Sequence, residues 1–317
     1  MKKYLVLIAF SIICAFIGKK IYVELDNYRE IKELENKCQT KEHTKLLICS
    51  IKKNLATLTS TKILIEKGGN INSIDLESNM DTILGLAIRY NSHPDVVELL
   101  LKSGAENVNA ISDLTGITPL IMACQMSSNS ETIKRILKYK QDINHRTSDV
   151  LIGMSALDAA LSSKKPNREI VQILLENHAD IESLNTLGMP ALHVAVANRN
   201  VSKEIIELLI LAKVNINRTI GESKITALML AISVNNLDAV KTLIQHGANP
   251  NIQSKQGTTA LMLAMLVKDT NIDIINFLLE HGADVNIKDN NNLTAIDYAK
   301  MNKKINNMEI HKNNTGN

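Results

Sequence analysis

Five stretches of this chain carry one apolar signature. Two adjacent apolar residues are followed by two more, two to four positions on. They are Val96-Val97 with Leu99-Leu100, Ile170-Val171 with Leu174-Leu175, Ile205-Ile206 with Leu208-Leu209, Ala239-Val240 with Leu243-Ile244, and Ile274-Ile275 with Leu278-Leu279. Polar residues flank them. This is the stripe of a helix buried along one side, so each stretch predicts a helix. Ahead of each lies a shorter, more apolar phrase, for example Thr82-Ile83-Leu84-Gly85-Leu86-Ala87, Ser155-Ala156-Leu157-Asp158-Ala159-Ala160 and Thr226-Ala227-Leu228-Met229-Leu230-Ala231. Each predicts a shorter helix. Its opening Thr or Ser hydroxyl can accept a backbone N–H that the first turn leaves unpaired. Pro119, in Thr118-Pro119-Leu120, suits the next position, where no N–H is needed. Leu at the third place faces inward, and the small residue at the sixth lets a neighbouring helix approach.

Each long helix is followed by a turn phrase, such as Gly247-Ala248-Asn249-Pro250-Asn251 and Gly282-Ala283-Asp284-Val285-Asn286. Gly68, Gly104, Gly247 and Gly282 end helices where a left-handed backbone is wanted. From one closing residue to the next is about 34 to 38 positions. Short phrases begin at Thr44, Thr82, Thr118, Ser155, Pro190, Thr226 and Thr259, and an eighth begins at Thr294. A unit with this grammar and period resembles the ankyrin repeat. The resemblance covers 44–300, about seven repeats plus a partial C-terminal cap. It implies an all-α repeat solenoid of stacked helix-turn-helix-hairpin units, whose concave face binds another protein.

Two departures from the family pattern stand out. The His of its Thr-Pro-Leu-His phrase survives only as His193, where Pro190 replaces the Thr, so the family's Thr–His hydrogen bond is expected to be missing. Several connections between paired helices are also long, as at 162–167 and 267–271. In addition Lys140, His178 and Lys213 stand where Gly would end a helix; those ends are expected to be strained or frayed by about 1 kcal/mol each.

No single repeat can bury its own apolar face, so stability sums over neighbours and both ends need caps. Residues 21–43 place Leu25, Tyr28, Ile31 and Leu34 at helical spacing and predict an amphipathic N-terminal cap. The eighth unit would cap the other end, and 301–317 reads as a polar disordered tail.

Residues 1–20 read as an export signal or N-terminal membrane anchor. Lys2 and Lys3 precede an uncharged run from Tyr4 to Gly18, short for a membrane span of about 20 residues. Cleavage, retention and lipidation at Cys14 all stay open. Each predicts export to the periplasm or the periplasmic face of a bacterial inner membrane, with secretion as the alternative. Contact with a membrane is expected only through this segment.

Composition narrows the chemistry. There is no Trp, and of three Phe only Phe277 lies beyond residue 20, which argues against base-stacking platforms. The net charge of +3 is more than supplied by Lys2, Lys3, Lys19 and Lys20. The body has no basic stripe, so no nucleic acid partner is expected. The eight His are scattered, and His246 and His281 recur at the repeat period, which marks a structural role. No metal or cofactor set and no catalytic constellation is visible; the reading is not an enzyme, with a hydrolase using a groove residue as the rival from another class. Cys38 and Cys49 flank the entry to the first repeat. In an oxidising compartment they could form a disulfide, the alternative being two reduced thiols. Cys124 reads as inert core.

The contact residues expected at hairpin tips and helix entries are Leu76, Leu114, Arg146, Leu151, Leu187, Arg218, Ile220, Glu222, Lys255 and Lys288. A row of exposed apolar tips suggests an interface; the alternative is that they pack on neighbouring hairpins. The functional expectation is a monomeric exported scaffold binding a protein in the bacterial envelope, or, alternatively, a secreted bacterial effector binding a host protein.

Overall fold

The computed structural model describes residues 26–78, 80–105, 107, 112–126, 129–139, 141–148, 151–267 and 271–302. The leader with Cys14, Leu25, Lys140, part of the second repeat's closing turn, 268–270 and the tail from 303 onward lie outside them. The chain forms two compact units, one comprising residues up to Ala123 with Glu131–Gln141, the other Cys124–Ser130 with everything from Asp142.

In the first unit, helix α1 (26–38) precedes α2 (His43–Lys52) and α3 (Leu58–Glu66). A two-stranded hairpin, β1 (Ile74–Asp75) and β2 (Asp81–Thr82), leads into α4 (Ile83–Arg89) and α5 (Pro94–Lys102). Helices α6 (Ser112–Thr115), α7 (Pro119–Gln125) and α8 (Ser130–Leu137) follow. Helix α2 packs on α4 and α3 on α5, burying Leu46, Leu47, Ile51, Leu64, Leu84 and Leu100 completely. Helix α1 buries Ile31 and Leu34. It is tied to the first repeat by Lys53 Nζ donating to the Lys37 carbonyl at 2.7 Å, by Thr57 Oγ1 donating to Glu30, and by a Cys38–Cys49 disulfide whose Cα atoms are 6.0 Å apart.

The expectation that Thr44 caps the first repeat is corrected. Helix α2 begins two residues earlier than a Thr44 cap would give, its N-cap Glu42 makes no side-chain cap bond, and Thr44 Oγ1 instead accepts from Asn70 N at 3.1 Å. Elsewhere the hydroxyls cap as expected. Thr82 Oγ1 accepts from Gly85 N, and Thr118 Oγ1 from Ile121 N.

The second unit contains α9 (Ala156–Ser162), α10 (Arg168–Glu176), α11 (Ala191–Ala197), α12 (Lys203–Leu211), the hairpin β3 (Thr219–Ile220) and β4 (Ile225–Thr226), α13 (Ala227–Ser233), α14 (Leu237–Gln245), α15 (Ala260–Leu266), α16 (Ile272–Glu280) and α17 (Ala295–Met301). The short helices pack in series, α9 on α11, α11 on α13, α13 on α15, α15 on α17. The longer ones form a parallel row, α10 to α12 to α14 to α16. Every step is between neighbours in the chain, which is the all-α solenoid.

Gly247 and Gly282 end their helices at φ 92° and 86°. His178 and Lys213 adopt the same left-handed backbone at 65° and 66°. Their helix ends are closed rather than frayed: Ala179 N donates to Leu174 O at 3.0 Å and Val214 N to Leu209 O at 3.4 Å, the bonds that Ala248 makes to Leu243 and Ala283 to Leu278. The stack holds both side chains in a conformation they disfavour.

Candidate protein-binding surface

The hairpin tips of the second unit are joined to one another by backbone. Thr186 N donates to Ile152 O at 3.1 Å, Lys255 N to Ser223 O at 2.9 Å and Asn290 N to Gln256 O at 3.0 Å. Asn290 Nδ2 adds a bond to Lys255 O at 2.9 Å, and Gln253 Nε2 bonds Lys288 O at 3.0 Å. The tips are therefore tethered in two groups, 152 with 186 and 223 with 255 and 290, and their backbone has little freedom to lose on binding.

The apolar tips divide. Leu187 is 61% exposed, and in the first unit Leu76 and Leu114 are each 80% exposed. Leu151 and Ile220 are half-buried. The charged candidates also divide. Arg146 is engaged within the fold, donating to Ser183 Oγ at 3.1 Å, to the Gly153 carbonyl and to Asp158 Oδ2 at 2.9 Å. Arg218 is paired with Glu182. Glu222 and Lys255 form a solvent-exposed pair at 3.3 Å, and the Lys288 side chain is exposed.

A concave cavity of about 380 Å³ opens where α9 and α11 meet the first two tips of this row. Its apolar wall is Ile152, Met154, Leu187, Met189, Val194 and Ala197. Its polar lining is Asp158, Ser162, Asn185 and Asn198. Asp158 is nearly buried, and its Oδ2 is held by Arg146 and by the Ser155 hydroxyl and backbone N–H, so it anchors the start of α9. Asn198 Nδ2 donates to Leu161 O at 2.8 Å and Ser163 O at 2.9 Å, clamping the ends of the two short helices together. At the other rim Gly153 lies so close to Thr186 that an added Cβ would sit 2.9 Å from its methyl.

Ile152 itself has φ 68°, an unusual state for a β-branched residue, costing about 1–2 kcal/mol. The strain leaves its side chain 42% exposed at the cavity mouth. Sequence reasoning names Leu151 and Leu187 here but misses Ile152, Met154, Met189 and Val194. One signal is countable: eleven positions separate Asn144 from Ser155, against eight between Asn251 and Thr259. The longer tip is the one that folds over.

His193 lies just behind this surface on α11, fully buried. Neither ring nitrogen has a hydrogen-bond partner, which agrees with the missing Thr partner at Pro190. Burial pushes its pKa down to about 4, outweighing the backbone of Ile225 and Arg218, which favours the charged ring. Cys124 is buried, and burial holds its thiol protonated. Among the described residues no three potential ligands are placed to hold a metal ion, and no helix is long and apolar enough to cross a membrane.

Helix pairs in series with tethered hairpin tips define a repeat scaffold that presents a surface. Models of the ankyrin repeat match residues 79–113 singly and 106–185, 157–254, 192–289 and 248–310 as three-copy arrays. The chain belongs to the ankyrin-repeat family. It is 34% identical over 160 residues to an ankyrin repeat protein of fowlpox virus (strain NVSL), covering 50% of this chain and 45% of that one. It is 30% identical over 172 residues to human neurogenic locus notch homolog protein 1, covering 54% of this chain and 6% of the other. The chain thus spans less than half the length of these relatives. A solved complex of a Bdellovibrio bacteriovorus predatory endopeptidase with an immunity protein is similar with TM-score 0.49 and 28% identity, over 57% of this chain and 90% of the matched one.

Proposed function

We propose that this chain is an exported, monomeric scaffold that holds a protein partner against its hairpin tips. The observation that carries the reading is Leu187, 61% exposed on a tip fixed by the Thr186–Ile152 backbone bond. A large aliphatic side chain left uncovered on a tethered backbone is what a protein interface uses as an anchor. The compartment is the periplasm or the periplasmic face of a bacterial inner membrane. The charged-then-apolar start of the sequence and the pairing of Cys38 with Cys49 support it, because reducing compartments disfavour such a bond.

The test is site-specific photocrosslinking in producing cells, from position 187 and, as control, from Lys241 on the outer row of helices. The reading predicts one protein crosslinked from 187 and not from 241, in the exported fraction. Crosslinks of equal pattern from both positions would overturn the surface. Retention of the chain in the cytosol with both thiols free would overturn the compartment.

A further inference from the structure

We infer that the cavity between the fourth and fifth repeats is a pocket for one bulky apolar side chain of an acidic segment in the partner protein. The inference rests on the scaffold reading above and adds the chemistry of what the scaffold recognises.

Four observations converge. The cavity wall is apolar and partly built from the thioethers of Met154 and Met189, whose unbranched side chains adapt to aromatic or aliphatic guests. Its about 380 Å³ is more than enough room for a Leu- to Phe-sized group. Its single carboxylate, Asp158, is neutralised by Arg146 and does not repel an anion at the mouth. The charge along the two connections that border the cavity at Ser162 and Asn198 has one sign. Lys164 follows two residues after Ser162, and Arg199 follows directly on Asn198; both are exposed. The Asn198 clamp to Leu161 and Ser163 holds these two connections side by side. The connecting sequence from Ser162 to Asn167 and from Asn198 to Ser202 contains no Asp or Glu. An apolar side chain entering the pocket therefore brings the residues flanking it on this side against Lys164 and Arg199, and acidic flanks fit. An anchor in a desolvated pocket with a charged rim is the division of labour seen at interface hot spots.

The test uses the full chain with 13C-methyl methionine and three synthetic nonapeptides. One has a central Phe flanked by Glu, the second has Ala in place of Phe, and the third has Lys in place of Glu. The expected result is that the Glu–Phe peptide shifts the Met154 and Met189 methyl signals while Met229 and Met262, in the core, stay still. The Ala and Lys peptides should bind roughly tenfold or more weakly. Ala197→Phe, which fills the pocket from an exposed position, should abolish the shifts. The surface pair K164E/R199E, which touches no core residue, should weaken the Glu–Phe peptide by a similar factor and improve the Lys peptide. Unmoved Met154 and Met189 signals, equal binding of all three peptides, or indifference to K164E/R199E would overturn the pocket. A crosslink from position 187 that survives K164E/R199E and Ala197→Phe would leave the scaffold standing and remove this inference alone.

Discussion

Asn251 and Gly282, 31 residues apart, are joined by a single side-chain bond: Asn251 Nδ2 donates to the Gly282 carbonyl at 2.8 Å. The same carboxamide accepts from Asp284 N at 2.9 Å. One side chain thus satisfies a donor and an acceptor at the helix exit of the following repeat. Asn217 does the same one step earlier, to Gly247 O at 3.3 Å and from Asn249 N at 2.8 Å. Asn144 repeats it to His178 O and Asp180 N. In these three turn phrases the last Asn is therefore an inter-repeat rivet. The Asn or Asp two positions before it acts within its own turn. Asn249 Oδ1 accepts from Asn251 N at 2.9 Å, and Asp284 Oδ1 from Asn286 N at 2.8 Å.

Removing the rivet should uncouple neighbours. Asn251→Ala removes both solvent-exposed bonds and is expected to lower stability by about 1 kcal/mol, read as a lower urea midpoint. Asn251→Asp keeps the acceptor, loses the donor and adds a charge near Asp284, so it should be at least as damaging. An unchanged midpoint for both variants would show the ladder to be ornamental.

The left-handed helix ends give a prediction of opposite sign. His178 and Lys213 sit at φ 65° and 66° without the freedom of Gly. His178→Gly and Lys213→Gly should each raise stability by up to about 1 kcal/mol. Gly247→Ala should lower it by a similar amount. An added Cβ at Gly247 meets nothing within 4 Å, so any loss would be backbone strain alone. Thermal midpoints of the three variants decide the matter.

How much of this is legible in the sequence depends on the range over which each feature is set. The helix pairs, the Gly exits and most of the Thr and Ser caps follow from local propensity and period. Thr44 departs because the cap rule takes no account of what surrounds a Thr; here its hydroxyl bonds Asn70 N instead. Arg146 and Arg218 look like surface cations, because nothing in the sequence shows that Asp158 and Glu182 stand opposite them. Exposed Leu187 and half-buried Ile220 are indistinguishable by residue type. Their fates are set by the neighbouring tip, which lies a whole repeat away.

His193 makes stability depend on pH. Its ring is buried and unbonded, and its pKa falls from 6.5 to about 4. Arg218 opposes a charge there and Glu182 favours it, but burial dominates. The folded chain therefore keeps the ring neutral where the unfolded chain would protonate it. The contribution is fully present above pH 6.5 and is lost as pH falls from 6.5 towards 4, by at most about 3 kcal/mol. His193→Leu should remove this slope while leaving other titrations in place. Urea midpoints between pH 4 and 7 that fall equally in both proteins would rule the origin out.

The Cys38–Cys49 bond closes a short loop between α1 and the first repeat. Closing so small a loop removes entropy from the unfolded chain corresponding to about 3 kcal/mol of stability. Stability in a repeat array is passed between neighbours, so the effect should stay local. Reduction should speed amide exchange in α1 and α2 and expose the apolar side of Ile31 and Leu34, while amides of α13 to α16 keep their protection. Cys38→Ser should reproduce the pattern without reductant. Exchange that accelerates evenly along the whole chain would mean the bond stabilises something other than the N-terminal cap. No change in α1 would mean the buried side chains and the Lys53 and Thr57 bonds hold it unaided.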